Sequence, residues 1–144
     1  MKKIIALLVL LYPCAVFSQG ELKSFKETRN LSDRIVGHFI KEEFQEGLGL
    51  AKAFWPLPPV EIDGLANQIA TQWPMVNNRF GRPTGMEFLK EERLGKSFVR
   101  YYYLHRFENH AIYWRVTFYK PLDSWRVNGI QFLDNLDPLF EPAE

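Results

Sequence analysis

The stretch SFVRYYYLHRFENHAIYWRVTFY, residues 97–119, decides the fold. Its residues alternate with a period of two, the spacing of a pleated strand, and the polar pair Glu108-Asn109 divides it into two arms. With the turn centred on that pair, Phe107 faces His110, His105 faces Ile112, Tyr103 faces Trp114, Tyr101 faces Val116 and Val99 faces Phe118. Directly opposed residues share one face of a sheet. That face is apolar or aromatic throughout, save for His105 and the tyrosine hydroxyls. The opposite face carries Arg100, Tyr102, Arg106, Arg115 and Thr117, with Phe98, Leu104, Tyr113 and Tyr119 among them. A one-residue slip would turn the whole apolar set outward, so the pattern predicts the register as well as the hairpin.

Working outward, Met86–Arg93 and Ser124–Leu133 are expected as the flanking strands of an antiparallel meander. Pairing Tyr119 with Ser124 sets Phe118 against Trp125, Val116 against Val127 and Trp114 against Gly129. Beyond Gly129 the apolar parity changes, because Ile130 and Phe132 are the next apolar pair. A β-bulge at Asn128-Gly129 accounts for that change.

The region before the strands has helical periods. Leu31, Ile35, Val36, Phe39, Ile40 and Phe44 form one stripe, with Ser32 or Asp33 as a candidate N-cap. Leu48–Phe54 is a short second helix. Trp55-Pro56-Leu57-Pro58-Pro59 is a stiff extended joint, since proline has no N–H to donate. A third helix starts near Glu61. Ile62, Leu65, Ile69, Trp73, Val76 and Phe80 mark its apolar face at spacings of 3, 4, 4, 3 and 4. Pro74 is expected to kink it or end its regular part, and Gly81 to cap it. Helices first and a curved four-stranded antiparallel meander after them make an α+β fold, with the helices on one sheet face.

The first residues read as an address. Lys2 and Lys3 precede the apolar run Ile4–Leu11, and Val16 and Ser18 suit a signal-peptidase cut before Gln19. The run is too short for a bilayer core, which needs ~20 apolar residues. The chain therefore divides into a signal peptide over 1–18, a flexible arm over 19–30 and one α+β domain over 31–144. The expected destination is the periplasm or the exterior, with nothing spanning the membrane after cleavage. Tyr12-Pro13 before Cys14 is a poor lipobox, so lipid anchoring is not expected.

Composition narrows the function. The chain has 144 residues with 18 basic and 17 acidic side chains, a formal charge of +1, which gives no pull toward nucleic acid. One cysteine permits no internal disulfide. His38, His105 and His110 are too few and too scattered for a metal centre, and no phosphate loop, nucleophile elbow or cofactor motif is present. Two surfaces stand out. On the inner sheet face, Tyr101, Tyr103, His105 and Trp114 are candidate ligand-binding residues, against the plainer reading of core aromatics whose polar tips reach water or backbone. On the outer face, Arg100, Tyr102, Tyr113 and Arg115 are candidate subunit-interface residues, against a solvated sheet face.

Arg79-Phe80-Gly81 closing the long helix, the strand Trp114–Pro121, and Asp123–Phe132 followed by Leu139-Phe140 together resemble the nuclear transport factor 2-like superfamily. This is the α+β cone also used by ketosteroid isomerase and scytalone dehydratase. The nearer likeness is to its small secreted bacterial members of unknown function, and it spans roughly residues 31 to 140. The resemblance implies a pocket between helices and concave sheet, and a convex face that often dimerises. The isomerases that resemble this fold use pocket carboxyl groups, and the two central strands place none on the inner face. Glu87, Glu91 and Asp63 are left as contributors to such a pocket, with nothing in the sequence to single them out. The expected function is a non-catalytic binding protein for a small apolar ligand or an envelope partner. The alternative is an acid–base enzyme, isomerase- or dehydratase-like, acting on a small hydrophobic substrate.

Overall fold

A computed structural model describes residues 20–140. The expected signal peptide, its cut and Cys14 lie outside those residues. The order is α1 (Phe25–Phe39), α2 (Phe44–Ala51), α3 (Pro59–Phe80), β1 (Pro83–Leu94), β2 (Phe98–Phe107), β3 (Ala111–Tyr119) and β4 (Arg126–Leu133), ending in a 3₁₀ turn at Asp137–Phe140. The four strands form one antiparallel sheet in sequence order, and the three helices pack on one face of it. The α+β architecture is as expected.

The first helix starts earlier than its apolar stripe indicates. Ser24 is the N-cap, and a capping box closes the end: the Glu27 N–H donates to Ser24 Oγ, while Glu27 Oε2 accepts from the Ser24 and Lys23 N–H groups. Leu22 is buried and bridges to Trp125, whose N–H donates to the Leu22 carbonyl at 2.8 Å. Leu22 thus packs on the domain and residues 25–30 lie inside α1, in place of the expected flexible arm. Ser32 and Asp33, the two expected caps, both lie inside α1, Ser32 buried.

α1 ends at Phe39 although its stripe runs on to Phe44. The Glu43 N–H donates to the His38 carbonyl and the Glu42 N–H to Phe39, a Schellman closure, with Glu42 at φ 60° in the left-handed position usually held by glycine. Phe44 then opens α2 rather than closing α1. Gly47 lets the two helices meet closely, since a Cβ there would lie 2.6 Å from the Phe39 ring. α3 carries Pro59 in its first turn and runs unbroken through Pro74. Pro74 faces solvent, so it costs one backbone hydrogen bond and disturbs no packing.

The central hairpin has the expected register: Val99 pairs with Phe118, Tyr101 with Val116, Tyr103 with Trp114 and His105 with Ile112. The expected inner face is buried throughout, from Val99, Tyr101, Tyr103, His105 and Phe107 on β2 to Ile112, Trp114, Val116 and Phe118 on β3. β4 pairs differently from expectation before its bulge. Phe118 meets Val127, Thr117 meets Gly129 and Trp114 meets Phe132, so Asn128 is the extra residue. The bulge is where the parity change put it, but the first part of β4 is shifted by two residues. A shift of two keeps every side chain on its face, so burial pattern alone does not detect it.

Candidate functional site

The four inner-face candidates, Tyr101, Tyr103, His105 and Trp114, all lie in the core, none more than 4% exposed. They fill the space between helices and sheet. The two tyrosines fasten α1 to β2. The Tyr101 hydroxyl lies 2.7 Å from Thr28 Oγ1 and donates to the Phe25 carbonyl at 3.1 Å. The Tyr103 hydroxyl donates to Asp33 Oδ1, which also accepts from Arg29 Nε at 2.7 Å. Burial raises the pKa of both phenols, and for Tyr103 the neighbouring Asp33 raises it further. Both stay neutral and act as hydrogen-bond staples.

Toward α3 the same face is built differently. Trp73 on α3 packs on His105, Trp114, Phe107 and Phe44, with ring centroids 5.6, 6.0, 6.1 and 4.8 Å away. Trp114 Nε1 donates to His105 Nδ1 at 3.1 Å. An indole nitrogen can only donate, so His105 Nδ1 is the acceptor and the neutral imidazole carries its proton on Nε2. Among the described residues that Nε2–H has no partner, and neither has the Trp73 Nε1–H. His105 is fully buried and Trp73 is 3% exposed. Burial pushes the His105 pKa down to about 4, so the ring is neutral at physiological pH.

Sequence reasoning did not find the cleft beside this cluster. Two adjoining hollows of about 510 and 490 Å³ run along the seam between α3 and the edge strand β4, and Gln72, Phe132 and Leu133 border both. Their walls are chiefly apolar, with Leu65 and Ile69 on α3, Ile130 on β4 and Leu48 on α2, and Met75 stands 71% exposed at the rim. Phe132 is half-buried and forms the partition to the core. Its ring lies 5.2 Å from Trp114 and 6.0 Å from Trp73, edge-on to the latter. Phe132 thus borders the cleft on one side and touches the Trp73 and Trp114 rings on the other.

The outer-face candidates part company. Tyr102 and Tyr113 are 6% and 2% exposed within the single chain, their rings 6.1 Å apart, with Lys90 Nζ 4.9 Å from the Tyr102 centroid. Arg100 donates to Thr117 Oγ1 and Arg115 to Gln131 Oε1. Tyr102 and Tyr113 are thus covered by their own sheet's side chains, while the stacked pair Phe98 and Tyr119 on the same face stays partly exposed.

The remaining histidines stand apart. His38 Nδ1 meets Glu43 at 2.6 Å, and His110 Nε2 lies 3.4 Å from the Asp134 carbonyl. Among the described residues no three His, Cys, Asp or Glu side chains are placed to share a metal ion, and no helix is long and apolar enough to cross a membrane. No known family, curated protein or solved structure matches the chain. The molecule is defined here by its fold and site: an α+β domain with an aromatic interior and an apolar cleft along one edge of its sheet.

Proposed function

We propose that this chain is a secreted or periplasmic, non-catalytic binding protein of the nuclear transport factor 2-like kind, taking a small apolar ligand in the cleft between α3 and β4. The observation that carries the reading is the pair of adjoining apolar hollows sharing Phe132 and Leu133, each in the size range of small-molecule sites. Because Tyr101, Tyr103, His105 and Trp114 fill the inner face, the reading assigns the body of the ligand to the seam beside them. The acid–base alternative is less well supported. No carboxylate is buried among the described residues, and His105, held near pKa 4, is too weak a base to be poised for proton transfer at neutral pH. The basic and apolar start of the chain supports export, with N-terminal sequencing of the secreted product expected to begin at Gln19.

The test is titration with the neutral apolar dye N-phenyl-1-naphthylamine. Fluorescence enhancement that is saturable and lost in Ile69→Glu, with circular dichroism unchanged, is the expected result. Ile69 is half-buried on the cleft wall, so a carboxylate there makes the cleft polar without entering the core. Enhancement that survives Ile69→Glu, or none in the parent protein, contradicts the cleft assignment.

A further inference from the structure

We propose that Phe132 is a movable partition, and that the ligand is a neutral molecule with an aromatic or alicyclic body and one hydrogen-bond acceptor, such as a ketone, ester or ether oxygen, taken up by the N–H groups of Trp73 and His105. This rests on the cleft reading above and adds the chemical identity of the ligand's polar end.

Four observations lead there. Trp73 Nε1–H and His105 Nε2–H are both deeply buried donors without an acceptor, and burying an unpartnered donor costs about 1–3 kcal/mol. Their rings are neighbours, with centroids 5.6 Å apart. His105 is held in the Nε2–H form because Trp114 donates to its other nitrogen, so it stands as a second donor rather than as an acceptor for Trp73. And Phe132, which borders the cleft and packs edge-on against Trp73, is half-buried on an edge strand past the bulge at Asn128.

Rotation of Phe132 toward the cleft would remove its contacts with Trp73 and Trp114, and a ligand ring in its place would restore them. The oxygen on that ring then meets the two donors in a site that water does not screen. A neutral acceptor fits better than an anion. His105 is uncharged, and the nearest ion pair at the rim, Arg79 with Asp134, is solvent-exposed with its atoms 3.9 Å apart.

The experiment compares acetophenone with ethylbenzene, which share a ring and differ chiefly in the carbonyl. Both are titrated into the full mature chain labelled with ¹⁵N, and the indole N–H of Trp73 is followed together with the methyl groups of Ile69 and Ile130. The inference predicts that both probes shift the cleft methyls. Acetophenone binds roughly tenfold or more tightly, the worth of a hydrogen bond made in a dry site. Only acetophenone moves the Trp73 indole proton downfield, and in His105→Phe the preference falls several-fold. Equal affinities with an unmoved indole overturn the donor inference and leave the cleft reading standing. Cleft methyls unmoved by either probe, up to its solubility limit, overturn both. The indole shift is read on the unmodified protein, so the test does not depend on the variant folding.

Discussion

The aromatic interior meets its two main helices on different terms. Against α1, Tyr101 and Tyr103 each present a hydroxyl that finds an oxygen partner, at Phe25 and Thr28 or at Asp33. Against α3, Trp73 and His105 present N–H groups that find none among the described residues. The side chains are of one kind, an apolar ring with a polar tip; three of the four stand on the same face of β2 and the fourth, Trp73, on the helix above it. What differs is the supply of acceptors. α1 turns Thr28 and Asp33 toward the sheet as partners for the tyrosines, with Ser32 Oγ buried beside them and itself unpartnered among the described residues, whereas α3 turns Ile62, Ala66, Trp73 and Val76. A polar tip that is satisfied fastens elements together. One left unsatisfied beside an apolar cleft is a cost that a ligand can relieve.

The comparison can be broken most severely at the ring the two halves share. Trp114 is fully buried, touches Phe39, Trp73 and Phe132, and holds the His105 tautomer. Trp114→Ala should cost about 4 kcal/mol in urea unfolding, as large aromatic truncations do. A loss under 1 kcal/mol would show that the rings are not packed together as described.

Acid tests the α3 side alone. The His105 pKa, lowered to about 4 from an ordinary 6.5, means that the folded state binds fewer protons than the unfolded state between those values. Its contribution is intact above pH 6.5 and is lost as pH falls toward 4, by roughly 3 kcal/mol in all. Subtracting the pH profile of a His105→Leu variant should isolate that slope. Parallel profiles would mean that His105 titrates normally and is not buried.

On the α1 side, Tyr103→Phe removes the hydroxyl from Asp33 and should cost about 1 kcal/mol, since the acceptor carboxylate is partly solvated. The smallest effect has the opposite sign. Replacing Trp73 with 3-benzothienylalanine keeps the fused ring and deletes the N–H. Because that donor has no partner, stability should rise by a few tenths of a kcal/mol up to about 1 kcal/mol. A loss instead would show that the N–H is satisfied.

Much of the sheet was legible because a period of two is unforgiving. Any odd slip of the hairpin would have exposed Val99, Tyr101, Trp114 and Phe118 together. The two-residue shift at the start of β4 was not legible, since it preserves faces, and the bridge from Leu22 to Trp125 is a contact far apart in sequence. The early start of α1 was readable in principle. Ser24-Phe25-Lys26-Glu27 has the spacing of a capping box, but the polar residues around it hid the helix from a search for apolar stripes.

The candidate site was half legible. Tyr101, Tyr103, His105 and Trp114 were rightly placed on one face, yet residue type does not say whether a ring fills a space or borders one. The cleft itself is lined by Leu65, Ile69, Ile130 and Phe132, which in sequence look like any other core positions. The unpartnered donors could not be found without coordinates, because a missing partner has no pattern in the chain.

The most direct test of the contrast is the state of His105, read from its two ring nitrogens by long-range ¹H–¹⁵N correlation from pH 7 down to 4.5. The account predicts a neutral ring with its proton on Nε2 across most of that range, a Nδ1 shift showing an accepted hydrogen bond, and an Nε2–H shift showing none. A proton on Nδ1, or a midpoint near 6.5, would contradict it.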